Sequence, residues 1–416
     1  MSTNSKDART AVSDKKDLRV WFPSLSEDET LSEFGRALAE NPALAFHPVR
    51  SMTIKPTNVI HLAQTMFRLA KRARSKDLSI VTTLAPLHRT FVLKDGGSVC
   101  CLDFVSKDPA APVLVLCPTF CGGMDVIERV AEFAYDRLKW TVVVYNRRGG
   151  HCPLTSPPMY VLGNDEDFDV FLQSTHVTFP KRKALFILGY SAGGCYSARY
   201  LGKFRPSFVT GFVSVSGGFH SEMYSRVPKV VVDSMLKSFV VRPVSDKNVQ
   251  NASESKREDD FWSADTVYCK KGQHVPALAI RRRLKQLRMS GSLQAFVSVE
   301  RQMYEQDESK FLATFAVENW APLLTTRSLF LNSSDDIVCG FPEQYRRVLH
   351  PDGKDVETGH NMVAGQTSHK CSILAVTKHG GHCVFDACRG LSAGSSLSWA
   401  DTVSLVFFLH LLNAAK

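Results

Sequence analysis

The chain has 416 residues, 44% of them hydrophobic and 22% charged, which allows two domains or one large domain with insertions around a substantial core. No run of about 18 apolar residues occurs, so a transmembrane span is not expected. The net charge of +10 favours anionic surfaces or substrates, although in a chain this long it fits an ordinary solvated surface as well.

The first residues, MSTNSKDARTAVSDKKDLRV, are polar and carry both signs of charge. They lack the apolar core of a signal peptide, and their acidic residues argue against a transit peptide. Eleven cysteines, an odd number, with no CxxC pair among them predict a reduced, cytoplasmic setting and no zinc ribbon. Residues 1 to about 40 read as a mobile leader with a short helix in SLSEDETLSEFGRALAE. Residues 58–76, NVIHLAQTMFRLAKRARSK, read as a basic amphipathic helix. Ile60, Ala63, Phe67 and Ala70 share one face, and Arg68, Lys71, Arg72 and Arg74 crowd its end. Such a helix either packs on the main domain or makes a peripheral membrane contact. Residues 1–85 are therefore assigned to an N-terminal helical extension.

From residue 88 the pattern changes. RTFVLKDGGSVCCLDF is a strand, an Asp-Gly-Gly turn and a strand, the signature of a hairpin. Short apolar runs then alternate with helical stretches. The predicted strands are 113–117, 141–145, 185–189, 212–216, 328–332 and 372–376; helices are expected around 124–138, 164–175 and 191–203. Apolar strands alternating with helices imply a parallel sheet covered on both faces. The interval between FVSVS and SLFLN breaks the rhythm with a polar stretch and separate helical pieces, and reads as a cap or lid inserted over 219–325. The core is thus expected in two parts, 86–218 and 326–416. IRRRLKQLR, inside the insertion, has no aromatic interleaving or binding motif around it, so no nucleic-acid partner is expected.

FILGYSAGGCYSA carries the chemistry. Gly189-Tyr190-Ser191-Ala192-Gly193 follows a strand and opens a helix, the setting of a nucleophile elbow. The serine must sit on a sharp, strained turn; the glycines remove side chains that would collide across it. The helix that follows turns free N–H groups toward developing negative charge. A serine hydroxyl also needs a base and an orienting carboxylate, which follow in the order Ser, Asp, His. Asp335 and Asp336 in SLFLNSSDDIV, and His379 and His382 in SILAVTKHGGHCVF, stand just past successive strands. Carboxyl ends of parallel strands are where such sheets place their chemistry. The Gly380-Gly381 turn should lift His382 into the site and leave His379 structural. Spacing does not decide between Asp335 and Asp336. Two oxyanion donors are expected: the N–H of Ala192 and that of Phe120, in the loop CPTFCGG slimmed by Gly122 and Gly123.

The order LDF, LCPTFCGG, VVVYNRRGG, CPLTSPPMY, NDEDF, GYSAGG, LNSSDDIV and KHGGHCVF resembles the AB hydrolase 4 family of α/β-hydrolases over about residues 86–416. That family includes membrane-associated lipid esterases and short-chain carboxylesterases. The resemblance implies Ser191 as nucleophile, His382 as base and Asp336, the second of the pair, as acid. It also implies that Arg147, Arg148 and Gly149 form a structural turn beside the site. Family members carry His and Gly near the start of the oxyanion loop; here Cys117 and Thr119 stand there, in Cys117-Pro118-Thr119. The expectation is an α/β-hydrolase fold: a mostly parallel eight-stranded sheet, helices on both faces and an inserted helical cap. The expected function is hydrolysis of carboxylic esters, of lipid, acylglycerol or short-chain acyl type, through an acyl-enzyme and without metal or organic cofactor. Two other readings are a catalytically weak, membrane-peripheral binding protein on the same fold and an acyltransferase with the same triad.

Overall fold

The computed structural model describes residues 18–23, 26–45, 86–119, 124–148, 163–218, 267–268, 274–275, 316–336, 349, 355–358, 362–367, 370–383, 385 and 397–415. In chain order its main elements are β1 (Leu18–Pro23), α1 (Glu29–Glu40), β2 (Leu87–Val92), β3 (Ser98–Phe104), β4 (Val113–Cys117), α2 (Met124–Glu132), β5 (Thr141–Asn146), α3 (Asp165–Thr178), β6 (Leu185–Tyr190), α4 (Ala192–Phe204), β7 (Gly211–Val215), β8 (Val267–Tyr268), β9 (His274–Val275), β10 (Ser328–Ser333), β11 (Asp355–Thr358), β12 (Met362–Thr367), β13 (Ser372–Thr377) and α5 (Trp399–Ala414).

Eleven strands form one sheet in the order β11-β12-β1-β13-β10-β7-β6-β4-β5-β3-β2. Its middle, β5-β4-β6-β7-β10-β13, is parallel throughout. The hairpin β2–β3 closes one side antiparallel. Those eight strands are the mostly parallel sheet expected from the sequence, and three more extend it past β13. β1 lies antiparallel to β13 and parallel to β12, and β11 pairs antiparallel with β12.

Both faces of the sheet are covered, which is why its strands read as continuous apolar runs. On one face, Leu116, Val144, Leu188, Val215 and Leu331 pack with Leu31 and Phe34 of α1, Val130 of α2 and Phe407 and Phe408 of α5. On the other, Tyr145 of β5 meets Phe168 and Phe171 of α3 and Tyr196 of α4 at centroid distances of 4.6–5.8 Å.

The expected mobile leader is ordered from Leu18. Leu18, Val20 and Trp21 of its stretch LRVWFP are buried, and the extended segment enters the sheet between β12 and β13. The expected helix follows as α1, capped by Asp28, whose side chain accepts the Leu31 N–H at 3.0 Å. The basic segment 58–76 lies outside the described residues. So does most of the interval 219–325, apart from the two-residue ribbon β8–β9 and residues 316–325. Helix α5 had no forecast. Ser398 and Asp401 form a capping box at its start, and Trp399, Phe407 and Phe408 are buried.

Candidate active site

The site stands where β6, β7, β10 and β13 end. Ser191 joins β6 to α4 with φ +52° and ψ −117°, a region that side-chain-bearing residues rarely occupy. Two backbone hydrogen bonds hold it there: its N–H donates to Val215 O at 2.9 Å, and its carbonyl accepts the Cys195 N–H at 3.0 Å. The flanking glycines are required by space. A Cβ on Gly193 would sit 2.1 Å from the Cys117 carbonyl oxygen, and one on Gly189 would sit 2.6 Å from the backbone of Gly193. Helix α4 therefore starts hard against the end of β4, with Ala192 as its first residue.

Asp336 follows β10, and its side chain is 2% exposed. His382 follows β13 after a turn in which Gly381 has φ +55°. The imidazole lies between carboxylate and hydroxyl. Its Nδ1 is 3.0 and 3.2 Å from the two oxygens of Asp336, and its Nε2 is 2.8 Å from Ser191 Oγ. Of the two adjacent aspartates, Asp336 is the one that meets the imidazole. Asp335 takes another position: its Oδ1 accepts the Gly381 N–H at 2.8 Å and the Ser333 hydroxyl, and its Oδ2 is 3.6 Å from His379 Nδ1. On the far side of His382, the Cys383 N–H donates to Ser216 Oγ at 3.0 Å. Phe120 and the glycines at 122 and 123 lie outside the described residues.

Three thiols surround the elbow, and none competes with Ser191 as a thiolate. Burial pushes Cys195 up to about 11, Cys117 up to about 12 and Cys383 well above its ordinary value. Cys195 instead clips the chain: its thiol donates to Gly218 O at 3.2 Å and accepts the Gly218 N–H at 3.0 Å.

Arg148 of the stretch NRRGG meets Asp167 of NDEDF. Asn164 caps α3, accepting the N–H groups of Glu166 and Asp167 at 2.8 and 3.0 Å. Arg148, 4% exposed, forks onto Asp167 at 2.6 and 2.7 Å and also reaches Asp95 in the hairpin turn. Arg199 of α4 donates to Asp165 at 2.6 Å and to Gly163 O at 3.0 Å. Burial raises the Asp167 carboxyl; for Asp95 burial also pushes upward, but Arg148 outweighs it and holds the carboxyl below its ordinary value.

Two contacts had no forecast. Tyr190, directly before Ser191, donates its hydroxyl to Asp401 of the α5 cap, and burial raises both groups. The Ser-x-x-Asp spacing at 398–401 was the available signal. The Ser216 contact had none, because a strand-end serine looks like any other. Among the described residues, no group of three or more His, Cys, Asp or Glu could hold a metal ion, and no helix is long and apolar enough to cross a membrane.

Residues 112–338 match the sequence family described as alpha/beta hydrolase fold, which is more than half of the chain. No curated protein sequence matches significantly. Similar solved structures include a bacterial membrane phospholipase A described as a virulence factor, 17% identical, covering 86% of this chain and 95% of its own with a TM-score of 0.45. An esterase from Exiguobacterium antarcticum is 14% identical, covering 78% of this chain and 99% of its own, with a TM-score of 0.42. A carboxylesterase of the thaumarchaeon Nitrososphaera gargenis is 14% identical, covering 79% of this chain and 100% of its own, with a TM-score of 0.43.

Proposed function

The chain belongs to the alpha/beta hydrolase fold family, and on that premise we propose that it is a carboxylic ester hydrolase working through Ser191, His382 and Asp336. The observation that carries this reading is the imidazole set between hydroxyl and buried carboxylate, 2.8 Å from the one and 3.0 Å from the other. Ser191 Oγ attacks the ester carbonyl as its proton passes to His382 Nε2. Asp336 fixes the tautomer that leaves Nε2 free to accept, and it stabilises the imidazolium that forms. The carbonyl oxygen gains charge beside the start of α4, where the Ala192 N–H is one donor and Phe120 supplies the second. His382 then returns the proton to the departing alcohol, and water, activated by the same imidazole, releases the acid from Ser191.

The resemblance of NRRGG, NDEDF and HGGHCVF to the AB hydrolase 4 family supports lipid, acylglycerol or short-chain acyl esters as substrates. The composition of the segment 58–76 supports a peripheral contact with anionic lipid. Labelling with a fluorophosphonate, wild type against Ser191→Ala, tests the core of the reading, with an ester chain-length series alongside. Labelling that disappears in Ser191→Ala, with turnover of at least one ester, is the expected result. Equal labelling of both proteins, or none of the wild type, would overturn it.

A further inference from the structure

We propose that Asp335, the carboxylate that does not touch the imidazole, is a positioning residue. Together with Ser216 it clamps the backbone on both sides of His382. The proposal rests on the triad reading above and adds to it the means by which the base is held in place.

The segment carrying His382 needs such a clamp. Gly381 has φ +55° and Cys383 has φ +60°, so left-handed backbone flanks the histidine on both sides. Cys383 carries a side chain, and that conformation persists only where the surroundings impose it. Two hydrogen bonds from outside the turn do so. The Gly381 N–H donates to Asp335 Oδ1 at 2.8 Å, from the end of β10. The Cys383 N–H donates to Ser216 Oγ at 3.0 Å, from the end of β7. Ser216 is itself at φ +50° and fully buried, with its N–H on Leu331 O at 2.8 Å. Both acceptors thus stand just past the ends of β10 and β7, the next two strands of the sheet after β13, rather than on the loop they hold.

Asp335 is tied down in turn. Its Oδ1 also accepts the Ser333 hydroxyl, and His379 Nδ1 lies 3.6 Å from Oδ2. The two aspartates therefore divide the work. Asp336 orients the ring through Nδ1, and Asp335 fixes the main chain from which that ring projects. Both hydrogen bonds to Asp335 use the one oxygen that an asparagine would keep, so the positioning role calls for an acceptor rather than a charge.

The test compares Asp335→Ala, Asp335→Asn and Ser216→Ala in the full-length protein, reading kcat and KM on a soluble ester. In parallel, the nitrogen-15 spectrum reports whether the His382 imidazole holds a single tautomer. Misplacing a catalytic group by about 1 Å costs roughly a hundredfold, so Asp335→Ala should lower kcat by about ten- to a hundredfold with KM little changed. It should also mix the tautomers, and Asp335→Asn should recover most of both losses. A kcat for Asp335→Ala close to wild type would overturn the proposal. So would an Asp335→Asn variant as impaired as Asp335→Ala, or a wild-type imidazole already divided between tautomers. If Asp335→Ala does not fold, Ser216→Ala decides by the same two readouts. Failure of the ester-hydrolase reading is separately visible: wild type would then turn over no ester and take no fluorophosphonate, while the tautomer signal would still report on the clamp.

Discussion

At the residue scale, the candidate site keeps its geometry because a few positions tolerate nothing larger or differently shaped. Gly193 shows this most directly, since any Cβ there would press into the Cys117 carbonyl oxygen at 2.1 Å. That oxygen belongs to the end of a central strand and cannot move aside as a side-chain tip would. Gly193→Ala should therefore cost about 1–3 kcal/mol as overpacking and abolish fluorophosphonate labelling by shifting the start of α4 away from Ser191. Denaturant midpoints and labelling check both halves, and a variant that labels like wild type contradicts the argument. The same local physics made Ser191 readable in advance, because a strained serine between glycines, after a strand, has few other uses. Asp336 was only half readable. It and Asp335 share composition, neighbours and chain position, and they differ only in which way a turn after β10 points each of them.

At the element scale, Arg148 ties three pieces together: the hairpin turn through Asp95, the chain just past β5 on which it stands, and the first turn of α3 through Asp167. One guanidinium offsets two carboxylates, and breaking such a buried pair from one side strands the other. Arg148→Ala should destabilise the fold by about 3–5 kcal/mol near neutral pH. The pH dependence follows from burial. Without the guanidinium, burial acts on Asp167 unopposed by that charge and raises its carboxyl further above the ordinary 3.8, while Asp95 loses the partner that holds it low; folding then favours the protonated form of Asp167. Its share of the penalty is full above the raised folded value and shrinks as pH falls through it. Urea unfolding of wild type and variant at pH 8 and pH 4.5 checks this; an equal loss at both would contradict it. NRRGG and NDEDF stood out in the sequence through the family resemblance, but which arginine meets which aspartate is a matter of packing: Arg148 takes Asp167, and Arg199, from another helix, takes Asp165.

At the scale of the whole molecule, the chain carries a net charge of +10, which would draw it toward an anionic surface. If the segment 58–76 supplies that contact, replacing Arg68, Lys71, Arg72 and Arg74 together with Glu should abolish co-sedimentation with anionic vesicles. Each basic residue near such a surface is worth about 1 kcal/mol, so the loss should be steep, and raised salt should weaken wild-type binding too. Retention on neutral vesicles, or binding unaffected by the four substitutions, would remove the proposal. The sequence by itself determined the alternation of strands and helices, the order of Ser191, the aspartate pair and His382, and their placement at strand ends. Those follow from hydrophobic period and turn chemistry, which act over a few residues. Only the tertiary structure decided that the leader enters the sheet as β1, that α5 packs beneath it, that Asp336 rather than Asp335 meets His382, and that Ser216 reaches the chain beyond it. Each of these joins residues distant in sequence, and whether such groups meet is set by strand pairing and the turns that pairing holds.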